Sequence, residues 1–361
     1  MVAMPVVWSD AHVGHVPGGE VWVGLQVSGD EVPERAERIR QAVVAAGATF
    51  VEAASHTDDV LLNVHDAGLV GFLRTAWQEW ETEGYPTVHG QPKVVPYIFP
   101  LPGLVGNGRL EPAEPRSLAA RTGRYAFDTM TPIGPGTWDA ARGAVDAALT
   151  AADLVAGGAP AAYALTRPPG HHVTRSAYGG SCFLNNTAIA AESLRRHGFE
   201  RVAVVDIDAH HGNGAQSIFW ERDDVITISV HVDPAAGWFP HFLGLADETG
   251  AGRGAGANHN ITVAAETGDE GWVAAVGEAA ATAQAARADV LVLALGVDAG
   301  YADENSPLRV TAAGFREAAR LLGALGLPTV VVQEGGYDLA TIGELVVASL
   351  TGLEEGMANA V

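Results

Sequence analysis

Short runs of Val, Ile and Leu recur through the second half of the chain, and each closes on polar side chains. "RVAVVDID" begins at Arg201, "VITISVH" at Val225, "DVLVLALGVD" at Asp289 and "PTVVVQEGG" at Pro328. Apolar on successive residues, they predict strands buried on both faces of a parallel sheet. Alanine-rich stretches at 138–156, 187–197, 271–287 and 312–325 lie between or before them and predict helices. Strands alternating with helices predict an α/β fold, a doubly wound and mostly parallel sheet flanked by helices. One domain is expected over 1–361, with no repeat of fixed period. The segment 84–117 breaks the pattern: it holds seven prolines and shows neither period 2 nor period 3.6. A stretch of this length without periodicity is expected to be an ordered surface loop inserted in the domain, as a lid or a subunit contact.

The polar ends of these runs carry the candidate chemistry. Asp206, Asp208, His210 and His211 close the first, and Ser229, His231 and Asp233 close the second. Asp298 closes the third, and Glu334, Gly335, Gly336 and Tyr337 close the fourth. Open α/β sheets bind ligands beyond the carboxyl ends of their strands, so these side chains are expected at one rim. Asp208 and His210 stand at i, i+2, a spacing that puts two side chains on one face of a strand. With Asp298 as a third ligand they would form an open metal site with one position left for water. Two carboxylates and one imidazole suit Zn²⁺, and also accept Fe²⁺ or another first-row ion. The competing structural reading is a buried carboxylate–imidazole pair. "TRPPGHH" at 166–172 adds two adjacent histidines on a stiffened segment, and only an irregular turn aims neighbouring side chains at one point.

Charge and cysteine content narrow the partners. Forty-three acidic residues against 21 basic ones give a net charge of −22. Nucleic-acid binders carry a basic face, so this balance argues against such a partner and favours cationic ligands. The single cysteine, Cys182, allows no intrachain disulfide, as expected in a reducing cytoplasm. "MVAMPVVWSD" shows neither a basic n-region nor an apolar h-region, so no signal peptide is expected. "VLVLALGV", among the longest apolar runs, is far short of the ~20 residues that cross a bilayer, so no membrane partner is expected either.

Six ordered segments carry a resemblance: "RPPGHH", "GGSCFLNNTAIAA", "DIDAHHGNGAQSIF", "FLGLADETGAG", "ALGVDAGYADENSP" and "VVQEGGYDLATIG". Together they resemble the histone deacetylase superfamily, within it the bacterial acetylpolyamine amidohydrolase branch. The likeness is strong from about 117 to 355, and "VPERAERI" at 32–39 resembles the family's early helix. It implies the arginase–deacetylase fold, with the active site at the C-terminal ends of the strands and Zn²⁺ on Asp208, His210 and Asp298. It implies His171 paired with Asp206, and His172, the general base, paired with Asn213. A carboxylate partner favours the imidazolium and an amide does not, so His171 is expected to be cationic and His172 neutral. Tyr337 would donate its hydroxyl to the developing oxyanion. Asp206 and Ser229 would hold a structural monovalent cation, K⁺. In that branch the proline-rich loop helps to build a homodimer and narrows the entrance.

The sequence departs from the family at the substrate channel. Trp238 or Phe239 would form one aromatic wall, but the other wall position, after Gly180, is Ser181. His241 also replaces an expected aromatic. Glu20, Glu111 and Glu114 are the acids proposed to meet a remote ammonium. The expected substrate is a small acylated amine, such as an acetylated polyamine, and the acyl group is expected to be acetyl. Alternatives are acetyl-lysine or an N-acylated biosynthetic intermediate, which the small Ser181 would accommodate. An arginase-type ureohydrolase needs two manganese ions and a longer ligand run. A non-catalytic binder would be expected to have lost a ligand, the base or the tyrosine. His56, His65, His197 and His259 read as surface or capping residues, and His211 as structural.

Overall fold

A computed structural model of the chain describes residues 1–101, 104 and 115–360. Its strands are β1 (Val6–Trp8), β2 (Glu20–Trp22), β3 (Leu25–Val27), β4 (Phe50–Glu52), β5 (Ala161–Ala164), β6 (Val202–Asp206), β7 (Val225–Val232), β8 (Asn258–Val263), β9 (Val290–Leu295) and β10 (Thr329–Gln333). Eight of them form one sheet in the order β4-β1-β5-β10-β9-β6-β7-β8, and every pair is parallel. β2 and β3 form a separate antiparallel hairpin.

The four long apolar runs became β6, β7, β9 and β10, and the expected helices run over Thr137–Ala156, Asn186–Arg196, Asp269–Ala285 and Ala312–Gly323. Strand side chains alternate between faces, so each central strand feeds two cores. Val290 and Val292 of β9 pack in one core with Thr137–Ala156 and Asn186–Arg196. Leu291, Leu293 and Leu295 pack in the other, with Trp272, Phe315 and Leu350. Truncating one such buried leucine to alanine typically costs about 2–5 kcal/mol, so both faces are needed. Strands β1, β4, β5 and β8 have no counterpart among the elements that the sequence pattern predicts. Three are three or four residues long, and β8, at the sheet edge, mixes buried with half-buried positions. The helix Glu34–Ala45 overlaps and extends the "VPERAERI" segment.

Strand boundaries correct one expectation. β6 ends at Asp206, so Asp208 and His210 lie on the loop beyond it and not on one strand face. β7 continues to Val232, so Ser229 and His231 lie within that strand. In the proline-rich segment, Tyr85–Val88 forms one helical turn. Buried Val94 exchanges backbone hydrogen bonds with Ile133, anchoring the segment's middle. Glu111 and Glu114 lie outside the described residues. No helix among the described residues is long and apolar enough to cross a membrane.

Candidate active site

Asp208 and His210 on the loop after β6, and Asp298 on the loop after β9, offer one ligand atom each within 4.8 Å of one another. His210 Nδ1 is 3.1 Å from Asp208 Oδ1 and 2.9 Å from Asp298 Oδ2. Backbone amides fix the carboxylates: Gly335 N–H donates to Asp208 Oδ2 at 2.8 Å and Ala209 N–H to Asp298 Oδ1 at 2.8 Å. A side chain on Gly335 would meet both carboxylates at 2.5 Å, so only glycine lets the chain pass so close. Burial, with the Asp208 charge beside it, pushes Asp298 up to about 7. Two carboxylates at 0% exposure call for a cation between them. This donor set fits a divalent first-row ion with a further coordination position open.

The tandem histidines occupy the turn after β5, with ring centres 4.0 Å apart. His171 Nδ1 lies 2.9 Å from Asp206 Oδ2. His172 Nδ1 lies 2.7 Å from Asn213 Oδ1, while Asn213 Nδ2 donates to the His172 carbonyl at 3.1 Å. That second bond fixes the amide's orientation. It makes Nδ1 of His172 the donor and leaves Nε2 unprotonated. Burial opposes charge on both rings. The Asp208 and Asp206 carboxylates more than offset it at His171, held up at about 10. At His172 burial and the charges of His171 and His210 act together and hold it well below its ordinary value. Adjacent residues thus have opposite protonation, one imidazolium and one free base.

Tyr337 follows β10 on the turn made by Gly335 and Gly336. Its backbone N–H donates to Asp303 at 2.6 Å, and the Arg35 guanidinium lies 4.5 Å over its ring. Burial raises its phenol well above its ordinary value, so at neutral pH it is an O–H donor. Tyr337, His172 and His210 all line one cavity of about 390 Å³ that opens to the surface. Phe239 stands edge-on to His172 at 4.8 Å, and Gly180, Ser181 and Trp238 line the same cavity. A Cβ on Gly180 would be 2.3 Å from His172 Cδ2. Ser181 holds a left-handed φ of 62° and donates its N–H to Thr131 Oγ1 at 2.9 Å.

Glu20, Trp22 and Asp30 form part of the same lining. Burial first, then Asp30 and Asp128, push Glu20 up to about 7. Asp206 and Ser229 face each other in the β6–β7 register, and Ser229 Oγ bonds with Gly212 N–H and His231 Nδ1. Cys182 is buried, and its thiol is pushed well above its ordinary value, first by burial. His65 departs from its expected surface or capping role. It is buried, and its ring bonds the Thr174 carbonyl at 2.9 Å and the Asn185 N–H at 3.0 Å. Arg35 and Asp303, which hold Tyr337, were not singled out in the sequence, because their partners lie far away in the chain and no local pattern marks them. Phe127, whose ring lies nearly parallel to Phe239 at 6.1 Å, was likewise missed.

The histone deacetylase domain model matches residues 30–353. The chain belongs to the histone deacetylase family. Acetylpolyamine amidohydrolase of Mycoplana ramosa is 40% identical over 97% of this chain and 99% of its own length. Acetylpolyamine amidohydrolase 1 of Pseudomonas aeruginosa is 39% identical over 96% and 98%. The crystal structure of acetylpolyamine aminohydrolase from Burkholderia pseudomallei superposes with a TM-score of 0.90 at 37% identity, covering 97% of this chain and 98% of that one. This family member thus has the arginase–deacetylase fold expected from the motifs, its candidate site at the carboxyl ends of the strands.

Proposed function

We propose that the protein hydrolyses the amide of an acetylated polyamine, releasing acetate and a cationic amine in the cytoplasm. The observation that carries the mechanism is the unlike pairing of two neighbouring histidines, His171 on the Asp206 carboxylate and His172 on the Asn213 amide, beside a three-ligand cluster. Zn²⁺ on Asp208, His210 and Asp298 would supply Lewis-acid polarisation of the amide carbonyl and acidify water. His172 Nε2 takes the proton of the attacking water as the C–O bond forms. It then gives a proton to the amine nitrogen as the C–N bond breaks. His171, charged through Asp206, and the Tyr337 hydroxyl stabilise the oxyanion. Phe239 would hold the methylene chain, and Glu20 and Asp30 would meet the remote ammonium. Asp206 and Ser229 are proposed ligands of a structural K⁺.

Ser181 supports a second reading at the level of substrate, a bulkier N-acylated amine, because a serine fills less of the wall than an aromatic ring. The test is kcat/KM of the zinc-loaded protein for acetylated diamines and polyamines, an acetyl-lysine peptide and acetylated amino sugars. Acetylated polyamines should lead the ranking. A peptide or an amino sugar in first place would replace the polyamine assignment, and no turnover of any of them would sink the reading.

A further inference from the structure

Glu334 sits three residues before Tyr337, at 0% exposure, and takes no part in the proton transfers of amide hydrolysis. Its side chain gathers donors from two other segments. Oε2 accepts the N–H of Gly170 at 2.6 Å and of His171 at 3.1 Å. Oε1 accepts the hydroxyl of Thr187 at 2.7 Å, in the first turn of Asn186–Arg196. Its carbonyl accepts from Arg35 Nη2 at 2.8 Å, and Arg35 also lies over the Tyr337 ring. The next residue, Gly335, donates to the metal-ligand candidate Asp208. The turn carrying the base is packed tightly against the same helix start. A Cβ on Gly170 would lie 2.4 Å from the Leu184 carbonyl and 2.6 Å from Asn186 N.

We infer that Glu334 is a positioning residue that sets the distance between the histidine turn and the tyrosine turn. The two turns leave different strands, β5 and β10, which are sheet neighbours paired through Val332 and Ala164. Beyond that last pair the ladder no longer fixes their separation. The Thr166 hydroxyl reaches the Gln333 carbonyl at 2.5 Å just beyond it, and at the histidines themselves one carboxylate, rooted in the tyrosine turn, bonds the amides of the histidine turn. Misplacement of a reacting group by about 1 Å can cost on the order of 10²-fold in rate, so a brace this close to both turns acts on kcat.

The inference rests on the amide-hydrolysis reading, and two variants test it in the zinc-loaded protein. Glu334→Ala removes the acceptor and should lower kcat roughly 10²-fold, with KM and zinc content little changed. Glu334→Gln should recover most of that loss. Its amide oxygen still accepts from Gly170 and His171, and the Thr187 hydroxyl can rotate to accept from its NH₂. Hydrogen exchange of the peptide 166–172 should speed up in the alanine variant and not in the glutamine variant. Wild-type kcat in the alanine variant, a loss confined to KM, unchanged exchange, or equal losses in both variants would each overturn the brace. If the alanine variant does not fold, Glu334→Asp decides. It keeps the charge but shortens the arm, so it should be slower than Glu334→Gln, and the reverse order overturns the inference. A wild-type protein inactive on every acetylated amine would sink the hydrolase reading, while the exchange measurement would still decide the brace.

Discussion

Two imidazoles one residue apart differ in protonation because their neighbours differ. Both are buried, and burial alone would hold both neutral. The Asp208 and Asp206 carboxylates beside His171 reverse that, while His172, bonded to an amide and close to the charges of His171 and His210, stays neutral, so the neighbours of each ring set the acid–base roles. The same logic gives three predictions. Tyr337→Phe should keep its zinc and lose about 10²–10³-fold in kcat, the usual cost of one oxyanion donor. Asp298→Ala should lose the metal, seen as zinc per chain by elemental analysis. Glu20, held up at about 7, is neutral below that pH and a carboxylate above it. KM for a substrate with a remote ammonium should therefore fall as pH rises from about 6 to 8, relative to Glu20→Gln at each pH.

Elements are locked together by a buried ion-pair cluster. Glu31, just before Glu34–Ala45, accepts hydrogen bonds from Arg167 Nη2 at 2.9 Å and Arg35 Nη1 at 2.9 Å, and its Oε1 pairs ionically with Arg167 Nε at 2.8 Å. Arg167 opens the histidine turn, and Arg35 reaches the tyrosine turn. Burial would raise the Glu31 carboxyl, but Arg167, His15 and Arg35 hold it down at about 2. Removing one partner of a buried pair leaves uncompensated charge, so Glu31→Gln should lower unfolding stability by about 3–5 kcal/mol at pH 7. The sign of its pH dependence comes from the depressed value. The carboxylate's contribution is full above its unfolded pKa of about 4.3 and is lost as pH falls toward about 2. Denaturant melts of the two proteins should converge over that window.

Across the whole molecule, acidic residues outnumber basic ones, 43 to 21, and the cavity lining includes Glu20 and Asp30. Such a field draws in polycations and repels polyanions. The proline-rich segment is tied to the N-terminal part of the chain: Lys93 donates to the Val16 carbonyl. Tyr97 and Leu101 of the segment are exposed apolar side chains, as are Trp22 and Leu25 of the β2–β3 hairpin. Homodimerisation through this loop is our proposal. Deleting 102–114 should shift the mass measured by light scattering from dimer to monomer, and an unchanged mass would remove the loop from the interface.

The sequence alone determined the α/β class, the four central strands, the helices between or before them and the types of chemistry-bearing residue at the strand ends. It could do so because burial on two faces and strand-end polarity are written in neighbouring residues. The motif order carried the family as well. The short strands β1, β4 and β5 left no local signal, since three or four residues set no period. Tertiary structure alone decided that Asp208 and His210 meet Asp298 from a loop, that Arg35 and Asp303 hold Tyr337, and that His65 is a buried tie. Each of these is a contact between segments far apart in the chain. Its geometry depends on how packed layers bring loop ends together, which no local pattern encodes.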